Sequence, residues 1–335
     1  MKIQSNLIEN FFHAQLKKRG VNKAPANYVV NALINASLRG IDSHGVNLFS
    51  HYLDCIDLGR IKPNNDPNLK IQDASIICDA NQCFSYHASQ KLLEKMSVKS
   101  DELGMSVGII VNSDHIGAVG IHGTVSGIKN KIILGFTNAD PLANTPDGKS
   151  VVFGTNPISL IYTNAEGETL YIDLATTLFS MNKVKNYRRI SKALPVGVAR
   201  DINKNITLDP NKAETLEPIG NYKGFALAYL VEILTSGLSG SSISKDIMCM
   251  YGTDLSKPRS ISHTFIMIDS LRFSNGGEDF VWKAVKSIRN YLENDQLKNS
   301  PGIKELFTKK QRLKDGIPIL DDVYLDWKNR GFKDN

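Results

Sequence analysis

The spacing of apolar positions along the chain changes twice. Near the start it is helical. Leu7, Ile8, Phe11, Phe12 and Leu16 share one face of a predicted helix from Ser5 to Arg19, which Gly20 ends. Pro25 suits the first turn of a second helix, with Tyr28, Val29, Val30, Leu33 and Ile34 in register, running to about Leu38. Phe49, Tyr52, Leu53 and Ile56 predict a third helix that starts near His44 and stops at Gly59. The Pro- and Asn-rich run from Lys62 to Asn68 reads as a loop leading out. Short apolar runs then predict strands at Ala74 to Cys78, Val107 to Val111, Ile132 to Phe136, Ile158 to Tyr162, Thr169 to Asp173 and Thr264 to Ile268. A helix from Ala88 to Leu103 and a small-residue helix beyond His115 lie between them. Lys183 to Pro218 is polar and irregular. Tyr222 to Leu238 is a helix apolar almost all round, hence expected to be buried. Phe280 to Leu292 and Ile303 to Leu313 return to helical spacing. The expected fold is therefore α/β: a helical segment (residues 1–73), a mixed α/β body (74–275), and C-terminal helices (276–335) packing back on the first segment.

Composition narrows the functional classes. A chain of 335 residues with 41% apolar content can bury a large core in two or three lobes. No apolar run reaches membrane-spanning length, and the first residues lack a signal-peptide pattern, so no membrane partner is expected. Cys55, Cys78, Cys83 and Cys249 show no metal or redox spacing and read as free cytoplasmic thiols. The net charge of +6 includes a basic run at Lys304, Lys309, Lys310, Arg312 and Lys314, which reads as a solvated helix face, so no nucleic-acid partner is expected. A modest positive field favours anionic substrates and cofactor phosphates.

Five polar runs could carry chemistry. In Arg39-Gly40-Ile41-Asp42-Ser43-His44-Gly45-Val46, Ser43 can cap a helix with His44 in its first turn. The positive helix end disfavours imidazolium there and suits a proton donor or acceptor near neutral pH. A merely packed histidine is the plain alternative. In Asn112-Ser113-Asp114-His115-Ile116-Gly117, a strand delivers His115 into a loop. Gly117-x-x-Gly120-x-x-Gly123 is not a Rossmann fingerprint, because five residues separate strand from glycine and the G-x-G spacing is absent. Asp140, leaving the next strand, could orient His115, or could belong to an ordinary Asx-Pro turn. Asp173-Leu174-Ala175-Thr176-Thr177 ends a strand where N–H and hydroxyl groups could bind a pyrophosphate or ribose. Lys223-Gly224 opens a helix and could add charge to a phosphate site, or snorkel. No His-Glu-x-x-His motif exists, and the seven-residue spacings of His44/His51 and His115/His122 do not favour a metal hydrolase, so no metal is expected.

The runs together resemble the malate/L-lactate dehydrogenase family, a non-Rossmann group that includes ureidoglycolate dehydrogenase and 2,3-diketogulonate reductase. The resemblance rests on Arg-Gly-x-Asp-Ser-His-Gly-Val at 39–46, Asn-x-x-His-x-Gly-Ala-x-Gly at 112–120, Gly-Thr-Asn-Pro at 154–157, Asp-x-Ala-Thr-Thr at 173–177, Lys-Gly at 223–224, Pro-Gly at 301–302 and Gly-Ile-Pro at 316–318. It implies hydride transfer between NAD or NADP and a 2-hydroxy or 2-oxo acid, or a related keto compound or cyclic imine acid. It implies His115 as acid/base oriented by Asp140, with His44 as a second histidine at the substrate. Substrate contacts would come from Ser43, Thr155 and Asn156. Cofactor contacts would come from Asp173, Leu174, Ala175, Thr176, Thr177, Lys223, Gly224 and Gly302. A homodimer is also implied, as is a scaffold relative without catalysis if the chemistry has been lost.

The chain departs from the family in several places, among them Ile303, which replaces the glutamate of a Pro-Gly-Glu run. Leu48 replaces an arginine that can clamp a carboxylate, on the face His44 would share at i+4. Arg39, Arg60 and Arg188 are the replacement cations considered. A glycine-rich run becomes Cys83-Phe84-Ser85-Tyr86-His87, and a Gly-Gly becomes Asp147-Gly148. The substrate is expected to be unusual.

Overall fold

The computed structural model describes residues 1–335 except 253, 275, 293–299 and 335. Residue 275, where the body is expected to end, lies outside the described residues. In chain order the helices of about two turns or more are α1 (Ser5–Lys18), α2 (Lys23–Leu38), α3 (Phe49–Asp57), α4 (Ser85–Leu103), α5 (Val119–Val125), α6 (Met181–Arg189), α7 (Tyr222–Glu232), α8 (Phe280–Tyr291), α9 (Ile303–Asp315) and α10 (Asp321–Asn329).

The strands of the main sheet are β1 (Asn68–Gln72), β2 (Ser75–Asp79), β3 (Met105–Ser113), β4 (Lys131–Thr137), β5 (Ile158–Thr163), β6 (Thr169–Leu174) and β7 (Ile261–Asp269). Their order is β1-β2-β3-β7-β4-β5-β6. Only β2 and β3 run parallel, joined by the α4 crossover. The rest are antiparallel neighbours. The fold is mixed α/β and is not a doubly wound parallel sheet.

The registers decide where chemistry can gather. Ser113 pairs with Ile261, Thr137 with His263, Phe136 with Ile158, and Ile158 with Leu174. The last residues of β3, β4 and β6 and the first residues of β5 and β7 therefore meet along one sheet edge. His115, Asp140, Thr155, Asp173 and Arg259 all sit within a few residues of that edge.

Chain ends meet as well. Lys2–Ile3 pairs antiparallel with Ile317–Pro318. Trp327 of α10 packs against Phe11 and Phe12 of α1, with ring centroids 5.7 and 5.2 Å apart. Helix α8 instead lies on the main sheet, with Trp282 and Val285 around Tyr162.

Four local expectations are corrected. The third helix does not start at His44: two 3-10 turns, Asp42–His44 and Val46–Leu48, precede α3. A cause is Gly45, where a Cβ would clash with Ser37 of α2, so the chain runs too close to α2 for a regular helix to begin. The segment 183–218 is not irregular throughout. It forms α6 and three two-residue strands around a small apolar cluster that includes Val184, Val198 and Leu216. Asn68–Gln72, read as the end of a loop, begins the sheet. Finally, α7 is not buried all round. Tyr222, Tyr229, Leu230 and Ile233 are 65, 54, 45 and 51% exposed. Among the described residues no helix is long and apolar enough to cross a membrane.

Candidate active site

Two histidines face each other at the sheet edge. Strand β3 delivers His115, and the 3-10 turn after α2 delivers His44. Their rings stack with centroids 5.5 Å apart. Both line a cavity of about 310 Å3, together with Asp140, Lys185, Arg188 and Arg259. The Nδ1 of His44 is 2.8 Å from the Ser43 hydroxyl. The Nδ1 of His115 is 2.7 Å from the Tyr52 hydroxyl. Among the described residues neither Nε2 has a protein partner, so both are left for a ligand. Burial pushes His44 down to about 4 and His115 well below its usual value, His115 being further lowered by His44 and Arg259. Both imidazoles are therefore neutral at pH 7. The cause for His44 is burial and not a helix end.

Asp140 does not orient His115. Its carboxylate pairs with the Arg259 guanidinium and accepts the Met250 N–H at 3.4 Å. The residue at His115 Nδ1 is Tyr52, a core position on α3. Arg259, placed one turn of chain before β7, was missed from the sequence. The signal was available only through topology, because Pro258-Arg259-Ser260 precedes a strand whose start shares the edge with His115. Its side chain is 1% exposed. Its Nε donates to the Met248 carbonyl at 2.8 Å, and Nη1 has no partner among the described residues.

The other cations divide sharply. Arg60 is fully engaged by the carbonyls of Lys257, Met250 and Asp254, so it holds that loop together. Arg39 lies over the Tyr171 ring. Arg188 reaches the cavity but gives two N–H groups to the Pro210 carbonyl. Leu48 does not lie on a His44 helix face. It lines a neighbouring cavity of about 370 Å3 beside His51 and Tyr251.

A second cavity, about 550 Å3, joins the first across shared walls at His44, Gly117, Thr155, Pro157 and Ser180. Asp173, Leu174, Ala175 and Thr177 line it, as do Lys183 and Glu305. Thr176 and Gly224 frame it from behind. Thr176 is fully buried, bonded to the Thr155 carbonyl, and a Cβ on Gly224 would lie 2.5 Å from Ile219 N. Gly302 brings α9 onto β6, where a Cβ would lie 2.9 Å from Tyr171 N. Two expected residues are turned away. Asn156 is fully buried, with its amide on the Ala228 carbonyl and Glu232. Lys223 is exposed and does not line the cavity. The size of this cavity and its junction with the histidines fit a dinucleotide. Lys183, lowered by burial and by the nearby Lys304, lies in its wall.

A description of the malate/L-lactate dehydrogenase family matches residues 3–327. The chain belongs to that family. It is 28% identical to the malate dehydrogenase of Pyrococcus abyssi, over 96% of this chain and 92% of that one. It is 25% identical to the NAD(+) ureidoglycolate dehydrogenase of Escherichia coli O157:H7, over 97 and 94%. The crystal structure of malate dehydrogenase from Entamoeba histolytica superposes with a TM-score of 0.89 at 25% identity, covering 98 and 96%. Family membership makes the chain an oxidoreductase of the dehydrogenase type, and relatives named for NAD(+) and for NADP(+) both occur.

Asp173 gives a pH prediction. It accepts the Gly120 N–H and the Tyr171 hydroxyl, each at 2.9 Å. Burial, with Glu305 adding to it, raises its carboxyl to about 6. A raised folded-state value means the folded chain holds this proton more tightly than the unfolded one. The resulting stability is full below the ordinary value near 4 and is lost as pH rises through 6, about 3 kcal/mol for a shift of some two units. Denaturant unfolding of wild type and Asp173→Asn at about pH 3.5 and 7 checks this, because that interval spans both values: the variant should lack that share of the loss.

Proposed function

We propose that the chain transfers hydride between NAD or NADP and the hydroxyl or carbonyl carbon of a 2-hydroxy or 2-oxo acid or related keto compound. The observation that carries this reading is the pair of neutral histidines with free Nε2 atoms, set beside a buried arginine and opening into the Asp173–Thr177 cavity. A bound nicotinamide would supply the hydride chemistry. Asp173, Leu174, Ala175 and Thr177 would hold it, with Lys183 near the phosphates.

The protein's own tasks follow from the geometry. His115 takes the hydroxyl proton in oxidation and returns it in reduction. His44 donates a second hydrogen bond to the same oxygen. Arg259 holds the acid group through its free Nη1 and replaces the arginine that Leu48 displaces. Ser43 acts through His44, and Thr155, in the wall of both cavities, holds Thr176 through its carbonyl and leaves its side chain for the substrate. Lys185, lowered to about 8 by burial and stacked 3.0 Å over the Tyr251 ring, adds a weaker cation to the substrate wall. Unpaired cysteines, three of them buried, favour a reducing compartment, the cytoplasm. A screen of 2-oxo acids, cyclic imine acids and keto-sugars with each reduced dinucleotide tests the reading, and oxidation with one acid class is the expected result.

The exposed apolar face of α7 supports a homodimer. Four large apolar side chains in one stretch form a patch that a lone chain leaves in water. Light scattering of the purified chain should give twice the mass expected from 37.0 kDa, and Ile233→Glu should shift it toward monomer.

A further inference from the structure

The contact behind His115 does more than fix a ring. The Tyr52 hydroxyl touches two groups: His115 Nδ1 at 2.7 Å and the Tyr86 hydroxyl at 2.9 Å. The three groups form one unbroken hydrogen-bonded chain. Tyr52 and Tyr86 are 1 and 2% exposed, so bulk water does not solvate them. Tyr86 in turn lines a separate cavity of about 380 Å3 beside Gln90, His122 and His13. That cavity shares no wall residue with the substrate cavity. Tyr86 lies in the run where the sequence departs from the family's glycine-rich pattern. The approach is built tightly: Gly117 runs at φ +72°, and a Cβ there would collide with the Tyr86 hydroxyl.

We propose that Tyr52 and Tyr86 carry protons between His115 and the rear cavity, so that substrate and dinucleotide can seal the front without stopping proton exchange. The proposal rests on the dehydrogenase reading above. In the oxidation direction His115 Nε2 takes the substrate hydroxyl proton while Nδ1–H passes its own proton to the Tyr52 oxygen. The Tyr52 proton moves to the Tyr86 oxygen, and the Tyr86 proton leaves to water in the rear cavity. The hydride, with its electron pair, passes to the oxidised dinucleotide, which leaves reduced, so the carbonyl product forms and one proton is released. Reduction runs the same path backwards.

A phenol can do this because its oxygen accepts one hydrogen bond while donating another. The relay also answers a difficulty at His115. A neutral imidazole that gives up its Nε2 proton must gain one at Nδ1 or become an anion in a dry site. His44, His51, His263 and Arg259 surround the ring with groups that disfavour a lasting positive charge. Burial, and after it Tyr86 and Asp114, bear on Tyr52 in the opposite sense, keeping its phenol protonated. Proton passage with no lasting charge on any member suits both.

The test uses Tyr86→Phe, which removes one oxygen at the far end of the relay, and Tyr52→Phe, which removes the link. With the best acid substrate from the screen, Tyr86→Phe should lower kcat about tenfold with KM and dinucleotide affinity within about twofold of wild type. Its solvent isotope effect on kcat should rise, and the effect of deuterated dinucleotide should fall, because proton delivery becomes limiting. Tyr52→Phe should lose more. A merely structural tyrosine would leave both isotope effects unchanged. Wild-type kcat and isotope effects in Tyr86→Phe overturn the relay while the dehydrogenase reading stands. No turnover by folded wild type with any substrate removes that reading, and the relay with it.

Discussion

His115→Ala should lower kcat by about a thousandfold and leave dinucleotide affinity within about twofold. The asymmetry comes from placement. The ring lines the substrate cavity but makes no contact that builds the Asp173–Thr177 cavity, so the loss falls on the chemical step. His44→Ala should cost less. Among the described residues its one side-chain hydrogen bond is to the neighbouring Ser43 hydroxyl, whereas His115 is backed by two phenols. Steady-state kinetics of both variants, with dinucleotide titration as the control for folding, rank the two histidines. Equal losses would assign them a shared role.

The second large effect is expected at Arg259. Arg259→Leu should raise KM about a hundredfold for an acid substrate, the value of one charged hydrogen-bonded contact near 3 kcal/mol. It should also destabilise the fold by about 3–5 kcal/mol, because Asp140 then keeps a buried charge with no cation beside it. The two effects separate in the double variant with Asp140→Leu. Removing both charges should restore most of the stability and none of the affinity. Measuring unfolding and KM on the single and double variants tests this. A KM unchanged in Arg259→Leu would move the acid-binding role to Lys185 or Arg188.

The order of elements was legible because the periodicity of apolar residues is strong. The strands at 107–111, 132–136, 158–162 and 169–173 each lie inside an observed strand. His44, His115 and the 173–177 run were legible as chemistry because polar groups stood at strand and helix ends. What was not legible depended on contacts between distant parts of the chain. Asp140 reads as a partner for His115 when only the two strand ends are known. Its real partner, Arg259, is 119 residues away and reaches it through the register of β7. Tyr52 reads as a core position on an amphipathic helix, and it is one, but its hydroxyl ends at His115. Helix α7 reads as buried because its apolar residues run round the helix and do not tell which face a neighbouring element covers.

On the proposed function, the cavity beside the two histidines holds a nicotinamide dinucleotide. Titration of the purified chain with NADH and, separately, NADPH, followed by nicotinamide fluorescence, tests it most directly. Saturable binding of one of them in the micromolar range, weakened by Lys183→Ala, is the predicted result. A folded chain that binds neither would contradict the account.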